Sequence, residues 1–260
     1  MDNCETDVLD ADDHAHPSGR CMTGSIRNSF NTIGLHLLNR AVFLLAWAKR
    51  RQRVSVGDMY VKVNLGSGLT VAPGWINVDA SPNALLSGWP SFILNRLYDL
   101  SDNRQWHSRA EYISILKKHR FIHHRLEYGV PFDDRAIDVI YSSHVLEHLF
   151  RGDAEALLSD MFRSLKLGGL IRIAVPNVEH AFRLFQQGQK ELALEYFFSR
   201  SPKGYLNHHH YMYDFDLLKM FLEKAGFTQI EQKKFREGIV PDIDILDNRP
   251  EETLYIEAMK

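Results

Sequence analysis

The stretch VKVNLGSGLTVAPGWINVD, residues 61–79, constrains the chain more than any other. A strand-like run of alternating apolar residues stops at Gly66-Ser67-Gly68, and a second short strand, WINVD, ends on Asp79. Glycine tolerates positive φ and has no Cβ, so a ligand can approach the backbone closely there. In an open α/β sheet, the carboxyl end of a strand is where ligands bind. The dinucleotide fingerprint asks for a third small residue at the sixth position of such a loop, and an acid about 20 residues on. The sixth position here is Val71, and Asp79 follows Gly66 by only 13 residues. Both features disfavour a nicotinamide-dependent oxidoreductase. A ligand with a ribose but no pyrophosphate fits better: glycine backbone for its tail, one carboxylate for its diol. S-adenosylmethionine has that chemistry. A plain Gly-x-Gly turn without a ligand is the competing reading at this point. The span from Gly66 to Trp75 is also short for a parallel crossover, so the helix that would join the first two strands is expected to be a turn or absent.

Downstream, strand and helix patterns alternate. Strands are expected at MYVKVNL (59–65), WINVD (75–79), FIHH (121–124), IDVIYSS (137–143) and LIRIAVP (170–176). Residues 91–118 read as helical with an irregular start, and 179–199 as one or two helices. Asp153 can cap a helix over 154–166, with Leu157, Leu158, Met161, Phe162 and Leu165 on one face and Gly168 as its left-handed stop. DFDLLKMFLEKAG (214–226) is a marked helix that buries Leu217, Leu218, Phe221, Leu222 and Ala225 and stops at Gly226. Two strands close the chain, TQIEQKKF (228–235) and TLYIEAM (253–259), with no helix expected between them. The pattern predicts an α/β, Rossmann-like, doubly wound seven-stranded sheet, mostly parallel, with one antiparallel strand near the C-terminus. It divides into a loose polar tail over 1–30, an amphipathic helix with a basic end over 31–58, and one domain over 59–260.

Composition excludes several classes. Apolar residues make up 45% of the chain and charged residues 25%, as in ordinary globular domains. A formal net charge of −2 gives no basic footprint for nucleic acid. Cys4 and Cys21 both fall in the N-terminal tail, which points to a reducing compartment rather than a disulfide framework. The acidic N-terminus is unlike a signal peptide, so a cytoplasmic chain is expected. GLHLLNRAVFLLAWAKRRQR (34–53) has two readings. Leu37, Leu38, Ala41, Val42, Leu45 and Ala48 share one helical face, which can pack on the domain, while Lys49, Arg50, Arg51 and Arg53 sit in solvent. Alternatively, this segment contacts an anionic membrane peripherally.

The ordered set NLGSG, NVD, VPFDDRAIDVIYSSHVLEH and LKLGGLIRIAVPN resembles the class I S-adenosylmethionine-dependent methyltransferases over about residues 59–260. The details SHVLEH and HHHYMYDFDLLKMFLEKAGF are similar to a bacterial group associated with cell-surface polysaccharide synthesis. The resemblance implies that S-adenosylmethionine is the cofactor and that the last strand inserts antiparallel. It implies that Gly66, Ser67 and Gly68 lie under the cofactor, that Asp79 holds the ribose, and that Ser142, Ser143 and His144 line the pocket. The family's adenine-contacting acid has no match here, because the position falls near His124 or Arg125; backbone or Leu126 would have to serve. The implied reaction is methyl transfer to an oxygen of a small molecule or saccharide. A catalytically idle adenosylmethionine-binding or scaffold protein is the alternative.

A hydroxyl acceptor needs a base. His144, at a strand's carboxyl end, is the first candidate. Glu147 and His148 are expected to hold the following turn together. In NHHHYMYD (207–214), His208, His209 and His210 are substrate-side candidates, with His208 and His210 grouped with His144 as catalytic. Three consecutive histidines cannot all face one way, so they form no metal site alone, and none is assigned; a metal on His208 or His210 with a distant carboxylate stays open. Tyr211 and Tyr213 are expected to pack beneath that loop.

Overall fold

In a computed structural model of the protein, the described residues are 40, 42–57, 59–198, 208–250 and 252–260. The expected tail over 1–30 and the first part of the 31–58 helix lie outside them. Seven strands form one sheet in the order β3-β2-β1-β4-β5-β7-β6. They are β1 (Lys62–Leu65), β2 (Trp75–Asp79), β3 (Arg120–His123), β4 (Ile137–Ser143), β5 (Leu165–Pro176), β6 (Thr228–Lys233) and β7 (Thr253–Met259). The β1–β2, β1–β4, β2–β3 and β4–β5 pairs are parallel. Strand β7 runs antiparallel to both of its neighbours, β5 and β6. This is the expected sheet, antiparallel insertion included.

The helices among the described residues are α1 (residues 42–48), α2 (Pro82–Leu86), α3 (Ser91–Leu100), α4 (Arg109–Lys118), α5 (Arg151–Ser164), α6 (Val178–Gln186), α7 (Lys190–Glu195), α8 (Phe215–Ala225) and α9 (Ile243–Leu246). No helix joins β1 to β2. Instead Gly66 and Ser67 donate back to the Val78 carbonyl, and Asn64 Nδ2, in the middle of a buried strand, donates to Thr70 O at 2.9 Å. These bonds satisfy the loop's polar groups without a helix. The short α9 stands in the connection between β6 and β7, where none was expected.

Helix α5 differs from its expected bounds. It begins at Arg151 after Phe150, so Asp153 lies in its first turn instead of capping it. It ends at Ser164, because Leu165 already pairs with Ile137 as the first residue of β5. Gly168 keeps a positive φ of 74° but lies within β5, where the register against β4 shifts. Ala154, Leu157, Leu158 and Met161 form the buried face of α5 at helical spacing. Each large apolar side chain so buried contributes about 1.5–3 kcal/mol. Helix α8 follows expectation: the Asp214 carboxylate accepts from Leu217 N–H at 2.8 Å, and Gly226 closes the helix at φ 107°. It joins α5 and the apolar face of the sheet in one core with Val63, Leu65, Ile140, Ile173 and Ile256.

Helix α1 is bound less tightly than its periodicity suggests. Val42 and Ala46 are buried, but Phe43, Leu44, Leu45 and Trp47 are exposed. Leu45 and Ala48, expected on the packed face, point away from it. The segment after α1 ties down through Arg53, whose Nη1 donates to Phe132 O at 3.0 Å, and through a bridge from Val54 to Phe132. No helix among the described residues is long and apolar enough to cross a membrane.

A second, smaller cluster on the other side of the sheet contains Ala72, Trp75, Val139, Tyr141, Val240, Ile243 and Leu246. The segment 234–249 is fixed there by Arg172, a fully buried residue of β5. Its guanidinium donates to Asp247 Oδ2 at 2.6 Å, Glu257 Oε1 at 3.0 Å, Glu237 O at 3.0 Å and Lys234 O at 3.1 Å. The sequence reading passed over Arg172; a lone arginine inside the apolar run LIRIAVP was the signal available.

Candidate active site

Strands β1 and β4 are neighbours, but the chain leaves β1 toward β2 on the other side. That reversal opens a crevice at the carboxyl edge of the sheet. A cavity of about 270 Å³ lies there, lined by Gly66, Ser67, Gly68, Thr70, Tyr141, Ser143, His144, His148, Asn248 and Arg249 among others. Gly66 and Gly68 take positive φ, 70° and 52°. A Cβ on Gly66 would lie 2.1 Å from Val145 Cγ2, so that glycine is required by packing. A Cβ on Gly68 would meet nothing within 4 Å, so its surroundings are open. A larger cavity of about 570 Å³ lies at the opposite, amino ends of β1 and β2, beside Lys62, Trp75 and Arg120. It holds none of the candidate residues.

Asp79 ends β2 beside the glycine loop. Its Oδ2 accepts from Gly68 N–H at 2.9 Å and its Oδ1 from Ser81 N–H at 2.8 Å. The carboxylate is thereby fixed in orientation, and each oxygen keeps a lone pair for a further donor. Asp79 itself stands outside the cavity lining. Ser142 and Ser143 point to opposite sides of β4, as consecutive strand residues must. Ser143 lines the cavity, whereas Ser142 is buried and its Oγ has no hydrogen-bond partner. His124 is buried, its Nε2 against Gly129 O at 3.1 Å, and burial holds its imidazole below the ordinary value. Arg125 pairs with Glu127, and its guanidinium lies 5.1 Å from the Phe43 ring centre of α1.

His144 has a positive φ of 54°, which turns the chain sharply at the end of β4. Its Nδ1 lies 3.1 Å from Glu147 Oε1 and its Nε2 3.3 Å from Thr253 Oγ1. A carboxylate only accepts, so Nδ1 carries a proton, and in the neutral ring Nε2 keeps the lone pair. This is the arrangement of a base oriented by a buried acid. Glu147 is fully buried on a single 3₁₀ turn, Leu146–His148. Its carbonyl accepts from His210 N–H at 2.6 Å, which pins the histidine segment to this turn. Its Oε2 is buried without a hydrogen-bond partner.

The histidine run divides three ways. His208 is exposed and contributes its carbonyl, 3.2 Å from His148 Nδ1. The His209 ring lies 5.1 Å from that of His148, with its Nδ1 on Tyr196 O. The His210 ring lies 4.4 Å from Phe150. Of the three residues named as catalytic, His144 lines the cavity and His208 and His210 do not. His148, read as a turn residue, does line it; burial holds its imidazole below the ordinary value. Tyr211 and Tyr213 pack on each other, 5.3 Å apart, and on Phe221. Burial pushes the Tyr213 phenol up, which keeps it neutral.

No curated protein matches the chain. Among solved structures, it is similar to a SAM-dependent methyltransferase from Archaeoglobus fulgidus, with 15% identity and a TM-score of 0.45 over 86% of this chain and 94% of that one. It is similar to a possible histamine N-methyltransferase from Thermotoga maritima, with 15% identity and a TM-score of 0.42 over 90% and 96%. It is also similar to phosphoethanolamine N-methyltransferase 2 of Haemonchus contortus, with 14% identity and a TM-score of 0.42 over 85% and 52%. Likenesses this distant bear on no functional point. The sequence family described as a methyltransferase domain matches residues 71–232, more than half of the chain, from just after the glycine loop into β6. The chain therefore belongs to the methyltransferase-domain family.

Proposed function

We propose that the protein transfers a methyl group from S-adenosylmethionine to a hydroxyl of a small molecule or saccharide. The observation that carries this reading is the joint presence, at one sheet edge, of the open Gly68 loop, the fixed Asp79 carboxylate and the His144–Glu147 pair. When bound, the cofactor supplies an electrophilic methyl group and the driving force. Gly66 and Gly68 let the backbone lie against it, and Asp79 accepts from ribose hydroxyls. Leu246, Asn248 and Arg249, on the segment held by the Arg172 network, form the far wall. His144 Nε2 takes the proton of the acceptor hydroxyl, and Glu147 stabilises the resulting imidazolium. General-base help of this kind is worth about 10²–10⁴-fold. Calorimetry with S-adenosylhomocysteine and NAD tests the cofactor. Binding of adenosylhomocysteine that Asp79→Ala abolishes is expected; binding of NAD instead sinks the reading. Release of adenosylhomocysteine with a panel of hydroxyl acceptors, including saccharides, separates an active enzyme from an idle binder.

A second reading concerns location. Phe43, Leu44, Leu45 and Trp47 are exposed immediately before Lys49, Arg50, Arg51 and Arg53. Apolar side chains beside a basic cluster favour peripheral contact with an anionic membrane. Co-sedimentation with phosphatidylserine vesicles is expected, with loss on Trp47→Asp; equal binding to neutral vesicles refutes it.

A further inference from the structure

Glu147, His148 and His209 each offer one ligand atom, and these atoms all lie within 4.8 Å of one another. The two imidazoles have fixed tautomers. His148 Nδ1 faces the His208 carbonyl and His209 Nδ1 faces the Tyr196 carbonyl. A carbonyl oxygen only accepts, so both Nδ1 atoms donate, and in the neutral rings both Nε2 atoms keep their lone pairs. Backbone carbonyls on the outer nitrogen are the usual way a metal-ligating histidine is oriented. His148 Nε2 is 3.8 Å from Glu147 Oε1, so a lone pair faces a fully buried carboxylate. That carboxylate spends Oε1 on His144 and leaves Oε2, buried, without a hydrogen-bond partner. Three electron-pair donors thus converge with no donor hydrogen between them. Lone pairs and a buried negative charge held this close are stabilised by a cation between them, either a proton on His148 Nε2 or a bound metal ion.

We propose that Glu147, His148 and His209 hold a divalent first-row transition-metal ion at the acceptor side of the cavity. Two imidazole nitrogens and one carboxylate oxygen suit zinc, iron, cobalt or manganese; magnesium and calcium prefer oxygen ligands alone. Three protein ligands leave coordination positions open. His148 and His144 line the same cavity, so an ion on His148 would border the place assigned to the acceptor. On the methyl-transfer reading above, on which this step rests, an open position takes the acceptor's hydroxyl oxygen and lowers its pKa. The hydroxyl proton passes to His144 Nε2. The oxygen forms the new bond to the methyl carbon as the carbon–sulfur bond breaks, and its electron pair leaves with sulfur. The acceptor is therefore a hydroxyl compound that can reach a metal.

The test uses the full chain, stripped with a chelator and titrated with Co²⁺ while its visible d–d absorption is recorded. One equivalent is expected to bind. His209→Gln and His148→Gln, both at partly exposed positions, should each weaken binding by at least about 100-fold. His208→Gln, one residue away but outside the cluster, should leave it unchanged. Adenosylhomocysteine binding and far-UV circular dichroism monitor the fold of each variant. Absence of Co²⁺ uptake in a protein that binds adenosylhomocysteine overturns the metal site and leaves the function proposed above intact. Uptake without adenosylhomocysteine binding supports the site and removes the methyl-transfer step. Uptake lost in His208→Gln but kept in His209→Gln marks adventitious binding by the histidine run and overturns the proposal.

Discussion

Replacing Arg172 with methionine tests how the far wall of the cavity is held. The guanidinium is fully buried and donates to two carboxylates and two backbone carbonyls. Breaking a buried ion pair by deleting one partner costs about 3–5 kcal/mol, because the other charge stays uncompensated. The structure points to the lower half of that range. Asp247 keeps Arg236 N–H at 2.8 Å and Tyr141 O–H at 3.1 Å, and Glu257 keeps Ile239 N–H at 3.0 Å and Val240 N–H at 3.3 Å. A loss of about 3–4 kcal/mol is expected, a large share of a domain's total of about 5–15 kcal/mol. Urea denaturation at neutral pH reads it as a drop in midpoint of roughly 1 M or more, with m near 3 kcal/mol/M. Adenosylhomocysteine affinity should fall as well, since Leu246, Asn248 and Arg249 sit on the segment released. The triple variant R172M/D247N/E257Q, which removes the stranded charges, should recover most of the stability. A loss below about 1 kcal/mol for Arg172→Met, within the range of an exposed pair, would refute the reasoning.

Three further outcomes follow from the same geometry. Gly66→Ala places a Cβ 2.1 Å from Val145 Cγ2 at a φ of 70°, so calorimetry should find adenosylhomocysteine binding lost, whereas Gly68→Ala, with open space around it, should cost only the backbone strain of a φ of 52°, about 1–2 kcal/mol. His144→Gln should lower kcat by about 10²–10⁴-fold and leave adenosylhomocysteine affinity within a few-fold, in steady-state assays on any active acceptor. Gly226→Ala brings a Cβ within 2.8 Å of Phe162 Cζ at φ 107° and should lower the thermal midpoint by several degrees in calorimetry without altering the cofactor site.

Much of the sheet was legible because its strands are short apolar or alternating runs, too short for helices, and because Gly66 follows β1 and Pro176 ends β5. Strands β2, β4 and β7 run from Trp75 to Asp79, Ile137 to Ser143 and Thr253 to Met259, as the residue patterns indicated. The end of α5 was not legible, because Leu165 is as apolar as a helix face requires, and only its pairing with Ile137 makes it a strand. The exposed side of α1 was hidden for the same reason: periodicity finds an apolar face but not the surface that receives it.

The sequence by itself determined a doubly wound sheet with a glycine loop, an early carboxylate and no first helix. These are properties of neighbouring residues, set by φ preferences and spacing along a few turns of chain. Only the tertiary structure decided which histidines meet. His148 and the run His208–His210 are some 60 residues apart in sequence, and nothing in their spacing fixes which ring turns toward Glu147. Consecutive side chains on an extended segment point in different directions, so one register assigns His209 to the cluster, His210 to Phe150 and His208 to the surface. That register is set by two backbone bonds from His210 and Tyr211 to the carbonyl of Glu147, which no local pattern encodes.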